Sequence, residues 1–284
     1  MIRKILVPVR GDGKGDNVLA HAAALALRSG AHVEVTHCRP RPEDLLPFGV
    51  PMPAILHDQL RDQAAQLADA EEEKLFEEFE NLCRAYGLTV VPSQTEEEAT
   101  ASWVEGVGRQ VDVIKNRGRL SDLICVAMPD RDRNLGTNTL KAALFNTGRP
   151  VMMCPPQKTG PSTLGSKVAI GWNGSTEAVR SVVMMRRVIE QADEVTILSS
   201  GASPDGNRAA DLKDYLTLRG IASKLHPFEA GRHTGTDLLG AAKSVGADML
   251  IMGAYGDSHE RQTVFGGNTQ KVVDTATMPV VFVH

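Results

Sequence analysis

Aromatic residues are scarce in this chain, at 4% of the whole, which leaves no material for a surface that stacks nucleic-acid bases. An excess of positive charge is also lacking: 31 Lys and Arg stand against 35 Asp and Glu, for a net charge of −4. That excludes the basic field through which proteins grip nucleic acid or anionic membranes. Cysteine is sparse, and Cys38, Cys83, Cys125 and Cys154 are widely spaced with no C-x-x-C pair. They read as free thiols of a reducing compartment rather than a disulfide framework. No uninterrupted apolar run reaches the roughly 18 residues of a membrane-spanning helix. The opening stretch, MIRKILVPVRGDG, has neither the apolar core nor the cleavage site of a signal peptide. These absences predict a cytoplasmic protein that acts on something small or on another protein.

What the chain does have is 42% apolar residues, 23% charged residues and 26 glycines over 284 positions. This is the composition of an α/β protein of about two domains. An internal repeat supports the count. The segment from Lys4 through Gly11 lies over that from Lys167 through Gly174, each an apolar run closed by a glycine turn. Asp122 through Val126 matches Asp248 through Met252, and Arg149 through Met153 matches Met278 through Phe282. The order is the same in both halves, so the chain is a tandem duplication with domains at 1–157 and 165–284. The Pro- and Gly-rich stretch from Pro155 to Ser162 links them.

Strands are predicted near 3–9, 32–38, 88–92, 122–127 and 150–154, and again near 167–172, 194–199, 221–226, 248–253 and 279–283. Their Val/Ile/Leu runs are continuous, as parallel strands covered on both faces require. Alternation with helical segments makes the fold class α/β: two tandem doubly wound domains, each a five-stranded parallel sheet flanked by helices, packed as an intramolecular pseudo-dimer. The first half carries an extra arm, a helix from about Ile55 to Tyr86 following a Pro-rich run at 47–53. Its Glu71–Glu73 and Glu77–Glu78 clusters read either as a partner surface or as a solvated face with Leu67, Leu75, Phe79 and Leu82 turned to the core.

The segment richest in chemistry is Gly253-Ala254-Tyr255-Gly256, nine residues, then Gly266-Gly267-Asn268-Thr269 opening a helix. Glycines let backbone amides close on an anion at a helix N-terminus, where unpaired N–H groups and the dipole favour phosphate. Asn268 and Thr269 add side-chain donors. The same spacing also suits a structural turn and cap. If the first and fourth strands flank the winding reversal, Trp172-Asn173-Gly174-Ser175 faces this loop across one crevice.

At this point the chain resembles the universal stress protein family, specifically its tandem-domain members. The family's G-x2-G-x9-G-(S/T) pattern is matched in spacing by Gly253, Gly256 and Gly266, and the resemblance covers essentially the whole chain. It implies the adenine nucleotide α-hydrolase-like fold and ATP or a related adenine nucleotide, with or without Mg, in the second half. Base contacts carried over by the pattern fall at Gly171, Trp172, Asn173 and Leu198. Ribose and phosphate contacts fall at Met252, Gly253, Tyr255, Gly256, Gly266, Gly267, Asn268 and Thr269. Asn173 stands where the family has Asp, and Gly267 where Ser or Thr would give a hydroxyl. The first half departs further. Arg10 replaces the Asp, Ala127-Met128-Pro129-Asp130 replaces the first glycine pair, and the loop to Gly136 is four residues shorter. That half is expected to be a structural partner without nucleotide. Gly11-Asp12-Gly13-Lys14-Gly15 reads as a flexible turn, since Asp12 and Asp16 would repel phosphate.

Other patterns fail on mechanics. Gly165-Ser166-Lys167 has the Walker residues in the wrong order and precedes a strand. Ser203 lacks the closing glycine of a nucleophile elbow. The histidines show no zinc-ligand spacing, although His259 and Arg261 lie in the loop where they could meet a γ-phosphate. No paired carboxylates or base–nucleophile pair suggest dedicated catalysis, and slow ATP hydrolysis is left open. Three functions follow for test: a nucleotide-binding stress sensor or regulator with an unknown protein partner, a nucleotide-independent scaffold or chaperone-like module, and a nucleotide hydrolase. The chain is a pseudo-dimer within itself, and a further homodimer is left open.

Overall fold

The computed structural model describes residues 2–9, 15–39, 54–92, 99–133, 135–157, 161, 163–201, 208–254 and 267–284. The first half runs β1 (Lys4–Val9), α1 (Gly15–Ser29), β2 (His32–Arg39), α2 (Ala54–Tyr86), β3 (Thr89–Val90), β4 (Thr100–Val107), α3 (Gln110–Gly118), β5 (Leu123–Ala127), α4 (Thr137–Asn146) and β6 (Val151–Cys154). The second runs β7 (Lys167–Gly171), α5 (Thr176–Met184), α6 (Arg186–Gln191), β8 (Glu194–Ser199), α7 (Ala209–Thr217), β9 (Lys224–Pro227), α8 (Thr234–Ser244), β10 (Met249–Gly253), α9 (Gly267–Thr275) and β11 (Val280–Val283). No helix among the described residues is long and apolar enough to cross a membrane.

The eleven strands of the described residues form one sheet, in the order β3-β4-β2-β1-β5-β6-β11-β10-β7-β8-β9. Every pairing within a half is parallel, as the apolar runs predict. The halves join through one antiparallel pair, in which Val280 faces Met153 and Phe282 faces Val151. The winding reverses beside β7, because the chain steps from β7 through β8 to β9 and then returns to β10 on the other side.

The same two-residue alternation that fills the strands sorts the core into two layers. One holds Val7, Val33, Ile170 and Ile197 under α1, α2 and α5 to α7. The other holds Leu6, Ile124, Leu198 and Leu250 under α3, α4, α8 and α9. The repeat is also written in its polar anchors. Asp122 accepts the main-chain N–H groups of Arg3 and Lys4 at 2.8 and 3.0 Å. Its counterpart Asp248 accepts those of Gly165, Ser166 and Lys167 at 2.9, 3.0 and 3.0 Å. Each aspartate satisfies amides that would otherwise be orphaned where the first strand of its half begins.

Two features differ from the sequence reading. The strand expected near 88–92 is only the two-residue edge strand β3, and the partner of β2 is β4, which alternates too many polar residues to read as a buried run. That alternation has a use: buried His32 bonds Thr100 and Ser102, both at 2.9 Å. On α2, Phe79 is buried and Leu82 packs against the core, as expected, but Leu67 is 73% exposed. The inward stripe passes instead through Glu72, off the helical angle of Leu67. The Glu72 carboxylate accepts Trp103 Nε1–H at 2.6 Å and lies 2.5 Å from His37 Nδ1, clamping α2 to β2 and β4. The acidic cluster is therefore split between solvent and interior.

Candidate functional site

β7 ends at Gly171, which stands opposite Leu198 of β8 on one side and Met252 of β10 on the other. The chain continues far enough for Trp172 N–H to donate to the Leu198 carbonyl at 2.8 Å. It then turns sharply. Asn173 Oδ1 accepts Ser175 N–H at 3.1 Å, Gly174 takes φ +79°, and Ser175 Oγ caps α5 by accepting Ala178 N–H at 3.2 Å. An Asx turn into a serine cap is a local instruction that these residue types carry by themselves. With its carbonyl oxygen used in the turn, Asn173 presents its NH2 group as a donor.

The turn seats α5 directly over the end of β10. A Cβ built on Gly253 would lie 2.5 Å from Ala178 N and 2.6 Å from Glu177 C. Gly253 therefore serves helix packing, whatever it offers a ligand. A second close approach fixes α9: a Cβ on Gly235, in the first turn of α8, would lie 2.3 Å from the Asn268 carbonyl oxygen. Leu238 of the same helix packs against Gly171, 3.1 Å from where its Cβ would stand. Contacts thus run from the β7 turn through α8 to the α9 N-terminus. The first turns of α5, α8 and α9 gather at one end of the sheet, and the positive ends of their dipoles favour an anion there. Gly267 and Asn268 are exposed at that end and Thr269 is buried, at 7%. Arg232 and His233, exposed at the start of α8, add cationic and donor groups. Gly235 and this pair were not singled out from sequence, although a glycine followed by a helical pattern was the available signal.

Of the sequence-predicted residues, Gly171, Leu198, Met252 and Gly253 come together at adjacent strand ends, with Asn173 in the turn beside them. Gly267, Asn268 and Thr269 open α9 as expected. Tyr255, Gly256, Gly266 and the 257–265 stretch lie outside the described residues, as do Arg10, the 11–14 turn and the 47–53 run. The side chains of Trp172 and Leu198 pack in different layers. Leu198 is fully buried in the layer with Met252 and Leu238, whereas the indole belongs to the opposite layer with Ile197. Trp172 and Asn173 together line the hollow beyond the ends of β7 and β8, with Ile197 and Ser199.

The first half is built differently at the equivalent end. Asp130 and Leu135 exchange both main-chain hydrogen bonds, at 2.8 and 2.9 Å, and close the shortened loop into a tight turn. Gly136 sits at φ +91° with its Cβ position 3.1 Å from Pro129 Cα, so the loop is folded flat against the strand end. Among the described residues no group of three or more His, Cys, Asp or Glu side chains could hold a metal ion.

The family model described as the universal stress protein family matches residues 1–132 and 181–284. A universal stress protein from Archaeoglobus fulgidus DSM 4304 superposes with a TM-score of 0.70 at 17% identity, over 99% of this chain and 97% of that one. One described as a putative universal stress protein from Pseudomonas aeruginosa UCBPP-PA14 gives 0.56 at 17% identity, over 99% and 93%. A universal stress protein solved in complex with cAMP aligns with 42% of this chain and 97% of its own, at 22% identity and a TM-score of 0.30. No curated protein matches the chain.

Proposed function

Because this chain belongs to the universal stress protein family, we propose that its second half binds ATP or a related adenine nucleotide and that the protein acts as a sensor or regulator rather than a dedicated catalyst. The observation that carries this reading is the convergence of three helix N-termini on the winding reversal between β7 and β10, with exposed Gly267 and Asn268 opening α9 there. In this assignment the domains divide at 157 and 165. The base lies toward Leu198 and the β7 turn, Asn173 donates to it or to the ribose, and Met252 and Gly253 border the ribose. The phosphates meet the start of α9, together with Tyr255, Gly256 and Gly266. The first half, with its flattened loop, is a structural partner. The departures at Asn173 and Gly267 favour a second reading, a nucleotide-independent scaffold, and the same experiment decides between them.

Nucleotide-stripped protein titrated calorimetrically with Mg-ATP is expected to take up one equivalent per chain. Gly267 gives a clean probe, because a side chain there would meet nothing within 4 Å among the described residues. Gly267→Asp places a negative charge at a helix N-terminus, which stabilises the helix but repels phosphate. Affinity should fall by roughly tenfold or more while Tm holds or rises, a repulsion of a kcal/mol or two at this distance. Unchanged ATP affinity in this variant rejects the phosphate assignment, two equivalents reject the inert first half, and no uptake at all leaves the scaffold.

A further inference from the structure

β10 ends at Gly253, and the next residue, Ala254, is held from three sides. Its side chain is buried, at 1% exposure, in the layer with Leu250 and Phe282. Its N–H donates to the Val283 carbonyl at 2.8 Å, and its own carbonyl lies 3.3 Å from His284 Nδ1. A carbonyl only accepts, so the proton of that bond sits on Nδ1. The imidazole is held in turn by a residue of the other half. Phe145, half-buried in the last turn of α4, meets His284 in a T-shaped contact, 5.2 Å between centroids and 79° between planes. The antiparallel join of β6 with β11 brings the end of α4 to the pole where β10 and β11 end. Arg119 fixes that helix end, donating from Nε to the Asn146 carbonyl at 3.2 Å.

The repeat supplies the control. Ala254 lies over Met128, whose N–H donates to the Cys154 carbonyl at 2.9 Å, so that contact is present in both halves. The ring contacts are not. His284 lies over Pro155, which has no donor to give and whose own carbonyl accepts from Asn17 Nδ2 at 2.8 Å. Phe145 lies over Thr275 when Gly136-Thr137-Asn138-Thr139 is set on Gly266-Gly267-Asn268-Thr269. The first half therefore carries neither ring at the equivalent places, and the pair stands at the loop that the nucleotide reading uses. We infer that Phe145 is a positioning residue for the chain that leaves β10: its ring orients His284, and His284 holds the Ala254 carbonyl ahead of Tyr255 and Gly256. That this serves ATP rests on the nucleotide reading, and it gives the first half a share in the second half's site.

The test is calorimetric titration of the full chain with Mg-ATP, paired with amide hydrogen exchange of the segment 249–256 in nucleotide-free protein. Phe145→Leu keeps an apolar side chain of similar size and should shift Tm by no more than about 3 °C. It removes the ring, so ATP affinity should fall roughly two- to tenfold, the worth of an aromatic contact, and exchange in 249–256 should rise. Phe145→Tyr keeps the ring and should leave both unchanged. His284→Ala should match Phe145→Leu, and the double variant should lose no more than either single one, because both act through one contact. Equal behaviour of Phe145→Leu and Phe145→Tyr overturns the proposal, since packing alone would then suffice. Additive losses or unchanged exchange overturn it as well. If the unsubstituted chain takes up no ATP while exchange still answers to Phe145→Leu and His284→Ala, the nucleotide reading is rejected and the clamp on Ala254 stands.

Discussion

A methyl group added to Gly267 would meet nothing within 4 Å among the described residues, whereas one added to Gly253 would lie 2.5 Å from a main-chain nitrogen of α5. The two glycines therefore answer the same substitution with opposite signs. Gly267→Ala should stabilise by about 0.5–1 kcal/mol through lower unfolded-state entropy, and Gly253→Ala should destabilise by about 1–3 kcal/mol through overpacking. Urea titration of the two variants checks both. A second residue-scale expectation concerns acid. His21 is fully buried with Nε2 unpaired among the described residues, and burial lowers its pKa although the Asn17 carbonyl at 2.6 Å pulls the other way. A depressed histidine binds its proton first in the unfolded chain, so its contribution is complete above the ordinary 6.5 and is lost as pH falls below that. For Glu34, burial raises the carboxyl pKa, but Lys4 at 2.8 Å and Arg117 at 2.9 Å outweigh it and hold the group below its ordinary 4.5. That stability is present above 4.5 and is lost as pH falls through the lower folded value. Both losses run toward acid, histidine first. His21→Leu should shrink the drop in urea midpoint between about pH 7.5 and about pH 5, and an unchanged drop would assign it to other groups such as His32.

At the scale of elements, the contact of α8 with α9 is the one on which the candidate site depends. Gly235→Ala would put a carbon 2.3 Å from the Asn268 carbonyl oxygen, so the start of α9 must move. The expected result is a loss of about 1–3 kcal/mol together with weaker ATP binding, read by urea titration and calorimetry on the same variant. Retained affinity would show that the α9 start is not part of the site. Much of this arrangement was legible in the sequence. Continuous Val/Ile/Leu runs announced buried parallel strands, and the repeated aspartates before β5 and β10 marked equivalent places. The nearness of Gly171, Leu198 and Met252 followed from strand order. What was not legible follows from period and partner. β4 hid because polar Thr100 and Ser102 serve His32 rather than solvent. Leu67 was assigned inward by its apolarity, although the 3.6-residue period puts Glu72 on the buried stripe instead. The separation of Trp172 from Leu198 was written in the two-residue alternation beside Gly171 but needed the paired register to be read. Gly253 shows the limit of a motif: its missing side chain is required by α5, a neighbour that spacing alone does not reveal.

For the whole molecule, the antiparallel pair of β6 and β11 makes two repeated halves into one mechanical body. The apolar layer is continuous across the junction, with Leu25 of α1 and Val188 of α6 both within 3.6 Å of the Cβ position of Gly165. Calorimetric unfolding should therefore show one transition whose van't Hoff and calorimetric enthalpies agree, and ATP should raise its midpoint as a unit. Two resolved transitions would mean that the halves unfold separately.

The reversal at that junction has a directional consequence. Strands left of it and strands right of it point opposite ways, so the loops that follow them emerge at opposite ends of the molecule. The candidate site and the start of α9 belong to one pole, and the turn closed by Asp130 and Leu135 and the Glu72 clamp of α2 to the other. A partner that docks on the pole of the candidate site would leave the far pole uncovered, so under the proposed function the two ends can be addressed separately.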